Sequence, residues 1–338
     1  MSKVKVKKGE VIKNFKNSMI YHGWFDIGMQ HLNRCYEGAL DQSDTRGLAI
    51  IGESGTGKTS LINHFVSTHP EYRDKEGAKV HIVSAMVPPK PTVKGLAELI
   101  LFYLGDPLFD KGTESSKTLR LITLLKGAST KMLVLDEFQH FVDQGSSKIQ
   151  HHVADWLKMV VDESEVCLVV TGLPYCIHVI QTNSQLKRRI QKPILLPRFD
   201  WMIDSHREQF IAIIDAMRES MTGMEFPDLT DEGMAFRFYC ATGGLIGRLA
   251  NLFIEVAQNA FDNKKWGITL PALKKAANDA SYDLLNDMIN PFDKKASTEA
   301  TDEIISMVKR IGIKEEMEPN RIIRRRKASI SVSDALKK

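Results

Sequence analysis

Short apolar runs and amphipathic stretches alternate through the first two hundred residues of this chain, and then the apolar runs stop. FDIGMQHLNRCYEGAL places Ile27, Leu32, Cys35, Tyr36 and Leu40 at helical spacing, which predicts a helix. GLAIIGESGTGKTSLINHF passes from a short apolar strand through a glycine-rich loop into an amphipathic helix. KVHIVS (79–84) reads as a second strand. PTVKGLAELILFYLG reads as a helix closed by Gly105, and KTLRLITLLKGAS as another closed near Gly127. KMLVLDEF is continuously apolar up to its acidic end, as a strand buried on both faces should be. HHVADWLKMVVDE predicts a helix, VCLVVTG a strand and QKPILLPRF a fifth, shorter strand.

Strands alternating with helices imply a parallel sheet covered on both faces. After Phe199 only helical patterns follow: MIDSHREQFIAIIDAMRESM, DEGMAFRFYCATGG, LIGRLANLFIEVAQNAFDN and LPALKKAANDASYDLL. The expected architecture is therefore an α/β domain over 17–199, with a five-stranded parallel sheet between helices, then a small helical domain over 200–290. Past Pro291 the chain is polar and charged, and a flexible basic tail over 291–338 is expected.

Charge sharpens this division. The net charge is +4, but residues 1–16 and 321–338 together carry +11, so the body carries −7. Basic ends on an acidic body suggest arms that meet an anion, beginning with an N-terminal arm over 1–16. The four cysteines, Cys35, Cys167, Cys176 and Cys240, form no CxxC pair and suggest buried thiols in a reducing compartment. No apolar run approaches the roughly 20 residues of a membrane helix. The opening MSKVKVKKGE has no signal-peptide core, so a cytoplasmic location without membrane partners is expected. His151-His152 and Cys176/His178 have no second pair at metal-ligand spacing and read as surface and packing residues.

The chemistry concentrates at strand ends. Gly52-Glu53-Ser54-Gly55-Thr56-Gly57-Lys58-Thr59, followed by Ser60, fits the G-x-x-x-x-G-K-[ST] phosphate loop between a strand and a helix. Such a loop closes its backbone N–H groups around phosphate oxygens at a helix N-terminus. Lys58 would reach the outer phosphates of ATP, and the Thr59 hydroxyl would help hold Mg²⁺. Leu133-Val-Leu-Asp136-Glu137 ends a buried strand in two acids at the carboxyl edge of the sheet. Asp136 suits the metal, and Glu137 suits polarising the attacking water. Thr171, ending the next strand, is a candidate contact to that water or to the γ-phosphate. Lys187, Arg188 and Arg189 precede the fifth strand, and Arg248 opens a lid helix in GGLIGRL.

Phosphate loop, acidic strand, polar strand end, arginine pair and helical lid, in this order, resemble the AAA+ ATPases over roughly residues 20–285. Within them, LDEFQHF, VTGLP, QLKRRI and GGLIGRLANLF look like the TnsC/TniB group of transposition regulators. The resemblance implies an ATP- and Mg²⁺-dependent ATPase that assembles on double-stranded DNA as a ring or filament. It would bridge a target-selection protein to transposase subunits, and some relatives serve elements directed by an RNA-guided complex. By position it makes Thr171 the first sensor, Arg248 the second, and Arg188 or Arg189 an arginine that acts on a neighbour's nucleotide. Tyr21 and His22 stand where relatives wrap the adenine. Lys90, Thr92 and Lys94 stand where such rings face DNA, as donors to phosphates that read no base. A loader or helicase-associated ATPase of DNA replication would share the nucleotide motifs.

Overall fold

The computed structural model describes residues 8–17, 20–75, 77–143, 146–280 and 289–311. The chain begins with α1 (Lys8–Asn17) and α2 (Gly23–Leu40), then β1 (Leu48–Ile51) and α3 (Lys58–Ser67). A hairpin of β2 (Tyr72–Asp74) and β3 (Gly77–Lys79) precedes β4 (Ile82–Met86), α4 (Val93–Tyr103), α5 (Glu114–Gly127) and β5 (Met132–Asp136). Next come α6 (His140–Asp143), α7 (Ser147–Ser164), β6 (Cys167–Gly172), α8 (Ile177–Gln181), α9 (Ser184–Arg188) and β7 (Ile194–Leu195). The helical part comprises α10 (Asp204–Ser220), α11 (Glu232–Thr242), α12 (Ile246–Asn263), α13 (Leu270–Ala280) and α14 (Asp302–Val308).

The five-stranded sheet is parallel, in the order β4-β5-β6-β1-β7. Every residue of β5 and β6 is buried, because helices cover both faces. From β1 the chain crosses to the far edge at β4, returns through β5 and β6, and places β7 on the other side of β1. That reversal opens a crevice at the carboxyl end of β1, where ligands of such sheets bind. Register brings Asp136 beside Met86, and Thr171 beside Ile50, at this edge.

Four local expectations need correction. The second strand of the sheet starts at Ile82 rather than Lys79, whose stretch belongs to an antiparallel hairpin instead. The fifth strand is only two residues long, since Pro193 and Pro197 flank it and offer no N–H for a ladder. Residues 8–16 are a helix rather than a loose arm: Val11 and Phe15, one turn apart, are buried, and Phe15 stacks on Phe253 of α12 at 6.1 Å. The chain past Pro291 also folds further than its polarity suggests. Phe292, Ile305, Val308 and Ile311 join the helical core, and Thr301 caps α14. The basic stretch at 321–327 lies outside the described residues.

Among the described residues no single helix is long and apolar enough to cross a membrane. All four cysteines are free and buried, and burial pushes Cys176 and Cys240 up to about 12, as for packing thiols rather than nucleophiles.

Candidate nucleotide site

The loop after β1 wraps the N-terminus of α3. Gly57 takes a left-handed φ of 95°, which lets the chain turn into the helix without a Cβ clash. A cleft of about 320 Å³ opens here, lined by Ser54, Gly55, Gly57, Lys58, Thr59, Ser60, Glu137, Gln139, Leu173 and Gly247. Lys58 is 6% exposed, and its Nζ donates to the carbonyls of Gly52 and Glu53, each at 2.8 Å. The cation is therefore held on its own loop, poised to exchange two carbonyls for phosphate oxygens.

Asp136 organises the acidic side. Its Oδ2 accepts from Thr59 Oγ1 at 2.6 Å, and its Oδ1 accepts from the Thr171 hydroxyl and from Glu137 N at 2.8 Å. Thr171 is fully buried and faces Asp136 rather than lining the cleft. Its place fits orienting the carboxylate better than touching a substrate directly. Glu137 has a φ of 57°, a conformation that costs a non-glycine residue on the order of 1 kcal/mol. Neighbouring backbone bonds hold the corner: Phe138 N donates to Thr171 O at 2.9 Å, and Val87 N to Asp136 O at 2.8 Å.

The donor set suits magnesium. Thr59 and the buried Asp136 are hard oxygen groups in mutual contact, and among the described residues no cluster of three His, Cys, Asp or Glu forms a closed metal cage. Magnesium is held in this manner, by one or two protein oxygens together with substrate phosphates and waters. Thr59 and Asp136 would hold it, and it would supply charge neutralisation at the phosphates.

Sequence reasoning missed two groups. Gln139 is 5% exposed; its Nε2 donates to the Glu137 carboxylate, and its Oε1 accepts from Leu173 N at 3.2 Å. It thus clamps Glu137 to the loop after β6, and its position two residues beyond the acid pair in LDEFQ is the signal that could have found it. Arg198, beyond β7, pairs with Glu53 of the phosphate loop. No local pattern marked it.

The helical part closes directly on the loop. Gly247 N donates to Gly55 O at 2.8 Å, and a Cβ at Gly247 would lie 2.9 Å from Gly55 Cα. Arg248 is therefore the neighbour of the residue that touches the phosphate loop, in the first turn of α12. Tyr21 is exposed, edge-on to Phe25 and His64 at 5.4 and 5.9 Å. His22 lies between α2 and the connector, its ring 5.6 Å from Phe199. Neither lines the cleft.

His22 caps α2 through Nδ1, which accepts from Phe25 N at 3.4 Å. Burial lowers its pKa to about 4, opposed by Asp26. The neutral ring is the folded form, so this contribution is complete above pH 6.5 and is lost as pH falls toward 4. By pH 5 the loss reaches about 2 kcal/mol before solvent screening reduces it. Thermal melts at pH 7 and 5 should show a larger drop for the wild type than for His22→Asn, which keeps a cap acceptor without titrating. Equal drops would remove His22 from the acid response.

Lys90 and Thr92 lie between β4 and α4, Lys94 lies in the first turn of α4, and all three are exposed. Thr92 caps α4, accepting from Gly95 N at 3.0 Å. Arg188 is exposed, whereas Arg189 pairs with Asp162 of α7 at 2.6 Å. Both stand apart from their own nucleotide cleft. Gly47, at the amino end of β1, donates to Arg189 O at 2.6 Å, while the phosphate loop starts at the carboxyl end. A strand of that length, at about 3.3 Å per residue, separates them by more than one arginine side chain extends.

The TniB family, described as bacterial TniB protein, matches residues 16–201. This chain belongs to the TniB family. Its fold is that of the AAA+ ATPases, as solved structures show. An ORC2 protein of Aeropyrum pernix, in ADPNP–ADP complexes, superposes with a TM-score of 0.58 at 16% identity, over 80% of this chain and 72% of that one. Cdc6p of Pyrobaculum aerophilum gives 0.60 at 15%, over 80% and 71%. ORC1 of Aeropyrum pernix, in complex with DNA, gives 0.57 at 14%, over 75% and 64%. No curated protein sequence matches the chain significantly. The TniB chain is thus an AAA+ ATPase whose phosphate loop and acidic strand end meet at one cleft.

Proposed function

We propose that this TniB-family ATPase assembles on double-stranded DNA in its ATP-bound state, links a target-selection protein to a transposase, and resets by hydrolysis. The family match over residues 16–201 carries the transposition reading. Two further observations support assembly and DNA contact. The arginine pair lies at the opposite end of β1 from the phosphate loop, too far to serve its own nucleotide, so it suits a neighbour's. Lys90 and Lys94 are exposed at one end of the sheet, and the ORC1 protein of Aeropyrum pernix, of similar fold, has been solved in complex with DNA.

In this reading Lys58 leaves its two carbonyls for the outer phosphates of ATP, and Gln139 aims Glu137 at the attacking water. Asp136, oriented by Thr171, and Thr59 hold Mg²⁺. Arg248 senses the γ-phosphate from the lid, and Tyr21 and His22 flank the base.

Electron microscopy with DNA and a non-hydrolysable ATP analogue tests the proposal: rings or filaments are expected. A monomer at micromolar concentration would sink it, and ATP-driven unwinding would favour the replication reading instead. Lys58→Ala should lose the assemblies together with nucleotide affinity. A charged hydrogen bond is worth about 1.5–3 kcal/mol, so the nucleotide titration should weaken by roughly 10- to 150-fold. Removing Lys90 or Lys94 should lower the salt slope of DNA binding by about 1 each, independently of sequence. An unchanged slope would take these lysines off the DNA.

A further inference from the structure

Arg198 sits in the connector between β7 and α10, where the α/β and helical parts meet. A guanidinium has five N–H donors in a fixed fork. The structure supplies five acceptors. Nε donates to Glu53 Oε1 at 3.0 Å, and one terminal nitrogen to Glu53 Oε2 and to Ile311 O at 3.0 Å. The other donates to Gly243 O at 3.3 Å and Lys309 O at 3.4 Å. The side chain is 11% exposed. One half-buried cation thus joins the phosphate loop, the turn between α11 and α12, and the end of α14. A second bond reinforces the last of these, Lys309 Nζ to Asp200 Oδ2 at 2.7 Å.

Glu53 is the pivot of this arrangement. Its carboxylate grips Arg198, while its backbone carbonyl holds Lys58 at 2.8 Å. A phosphate that draws Lys58 away removes a donor from the backbone of the very residue that Arg198 clamps. That carbonyl keeps the Thr56 hydroxyl at 2.9 Å, but a loop that moves at Glu53 pulls on the Arg198 fork. Leaving one of its five part-buried acceptors unpaired is costly, so the clamped segments shift together or the clamp breaks.

We infer that Arg198 is a positioning residue that couples nucleotide at the phosphate loop to the C-terminal helix α14. The inference rests on the nucleotide reading of the cleft. It makes residues 302–311 a reporter of the nucleotide state, at the point from which the chain continues into the basic stretch of 321–327.

Hydrogen exchange of the full chain, with and without a non-hydrolysable ATP analogue, tests the coupling, with binding followed in parallel by a fluorescent analogue. In the wild type, the analogue should change exchange across 302–311 severalfold. In Arg198→Gln, at saturating analogue, that change should vanish, and affinity should fall roughly tenfold, within the usual range of coupling between sites. Arg198→Lys should recover part of the affinity, since a point charge still meets Glu53 but cannot serve five acceptors. Glu53→Gln breaks the clamp from the loop side and should uncouple α14 in the same way, which guards against a misfolded Arg198 variant. Equal changes in wild type and both uncoupling variants, or none in a wild type that binds the analogue, would overturn the inference. A wild type that binds no nucleotide would instead sink the nucleotide reading itself.

Discussion

Glu137→Gln is expected to hydrolyse ATP about 10²- to 10⁴-fold more slowly than the wild type while binding ATP as well. Glutamine keeps the shape of glutamate but cannot take a proton from water. Glu137 lines the cleft with Lys58 and Thr59, and glutamine there keeps the size of the side chain. Its strained backbone fixes where the carboxylate starts, and Gln139 fixes where it points. Assemblies on DNA should therefore form and persist, since their reset requires hydrolysis. Steady-state ATPase and the lifetime of the assemblies after removal of free ATP give the two readouts. Wild-type turnover would take Glu137 out of the mechanism. Gln139→Leu should show a milder version, with kcat lowered and the affinity for ATP retained, because it releases the carboxylate without removing it.

The parts of this molecule that were legible in the sequence are those specified locally. Strands such as MLVLD and CLVVTG announce themselves because burial on both faces demands unbroken apolar runs. The phosphate loop is legible because its glycines, lysine and threonine must stand at fixed spacing along one turn. What was hidden depends on contacts between distant residues. Arg198 and Glu53 are 145 positions apart: Glu53 lies within the legible phosphate loop, but nothing around Arg198 marks it as its partner. The folded ends were hidden for another reason: α1 is rich in lysine, and only Val11 and Phe15 betray its buried side, so charge outweighed pattern. Past Pro291 the apolar anchors Ile305, Val308 and Ile311 stand at helical spacing for only about two turns, with Phe292 far from them, so the surrounding polarity hid them. The choice within KRR was open because neighbours on a helix point about 100° apart, and only tertiary contacts show where each one goes.

Those contacts frame the second large effect. Alanine at the working arginine, Arg188 or Arg189, should leave ATP binding intact and lower kcat by about 10³- to 10⁵-fold, the value of an arginine supplied to a neighbour's phosphates. Arg188 is exposed at the end of α9, whereas Arg189 must exchange Asp162 for a phosphate oxygen. Assayed separately, each arginine variant should therefore give a different answer, and the one that loses hydrolysis is the one that works in trans. Neither can serve its own cleft, because the hydrogen bonds of Gly47 fix this corner at the opposite end of β1 from the phosphate loop. Mixing decides the matter. A Lys58→Ala chain binds nucleotide far more weakly but keeps its arginines, and a neighbour loaded with ATP can still recruit it. An arginine variant keeps its phosphate loop but has nothing to offer the next subunit. Each is expected to be inactive alone, and hydrolysis should return when they are combined, at interfaces where the intact loop of one faces the intact arginine of the other. If the mixture stays as inactive as its components, the arginine acts within one subunit, which would require the α9 corner to abandon its pairing with β1.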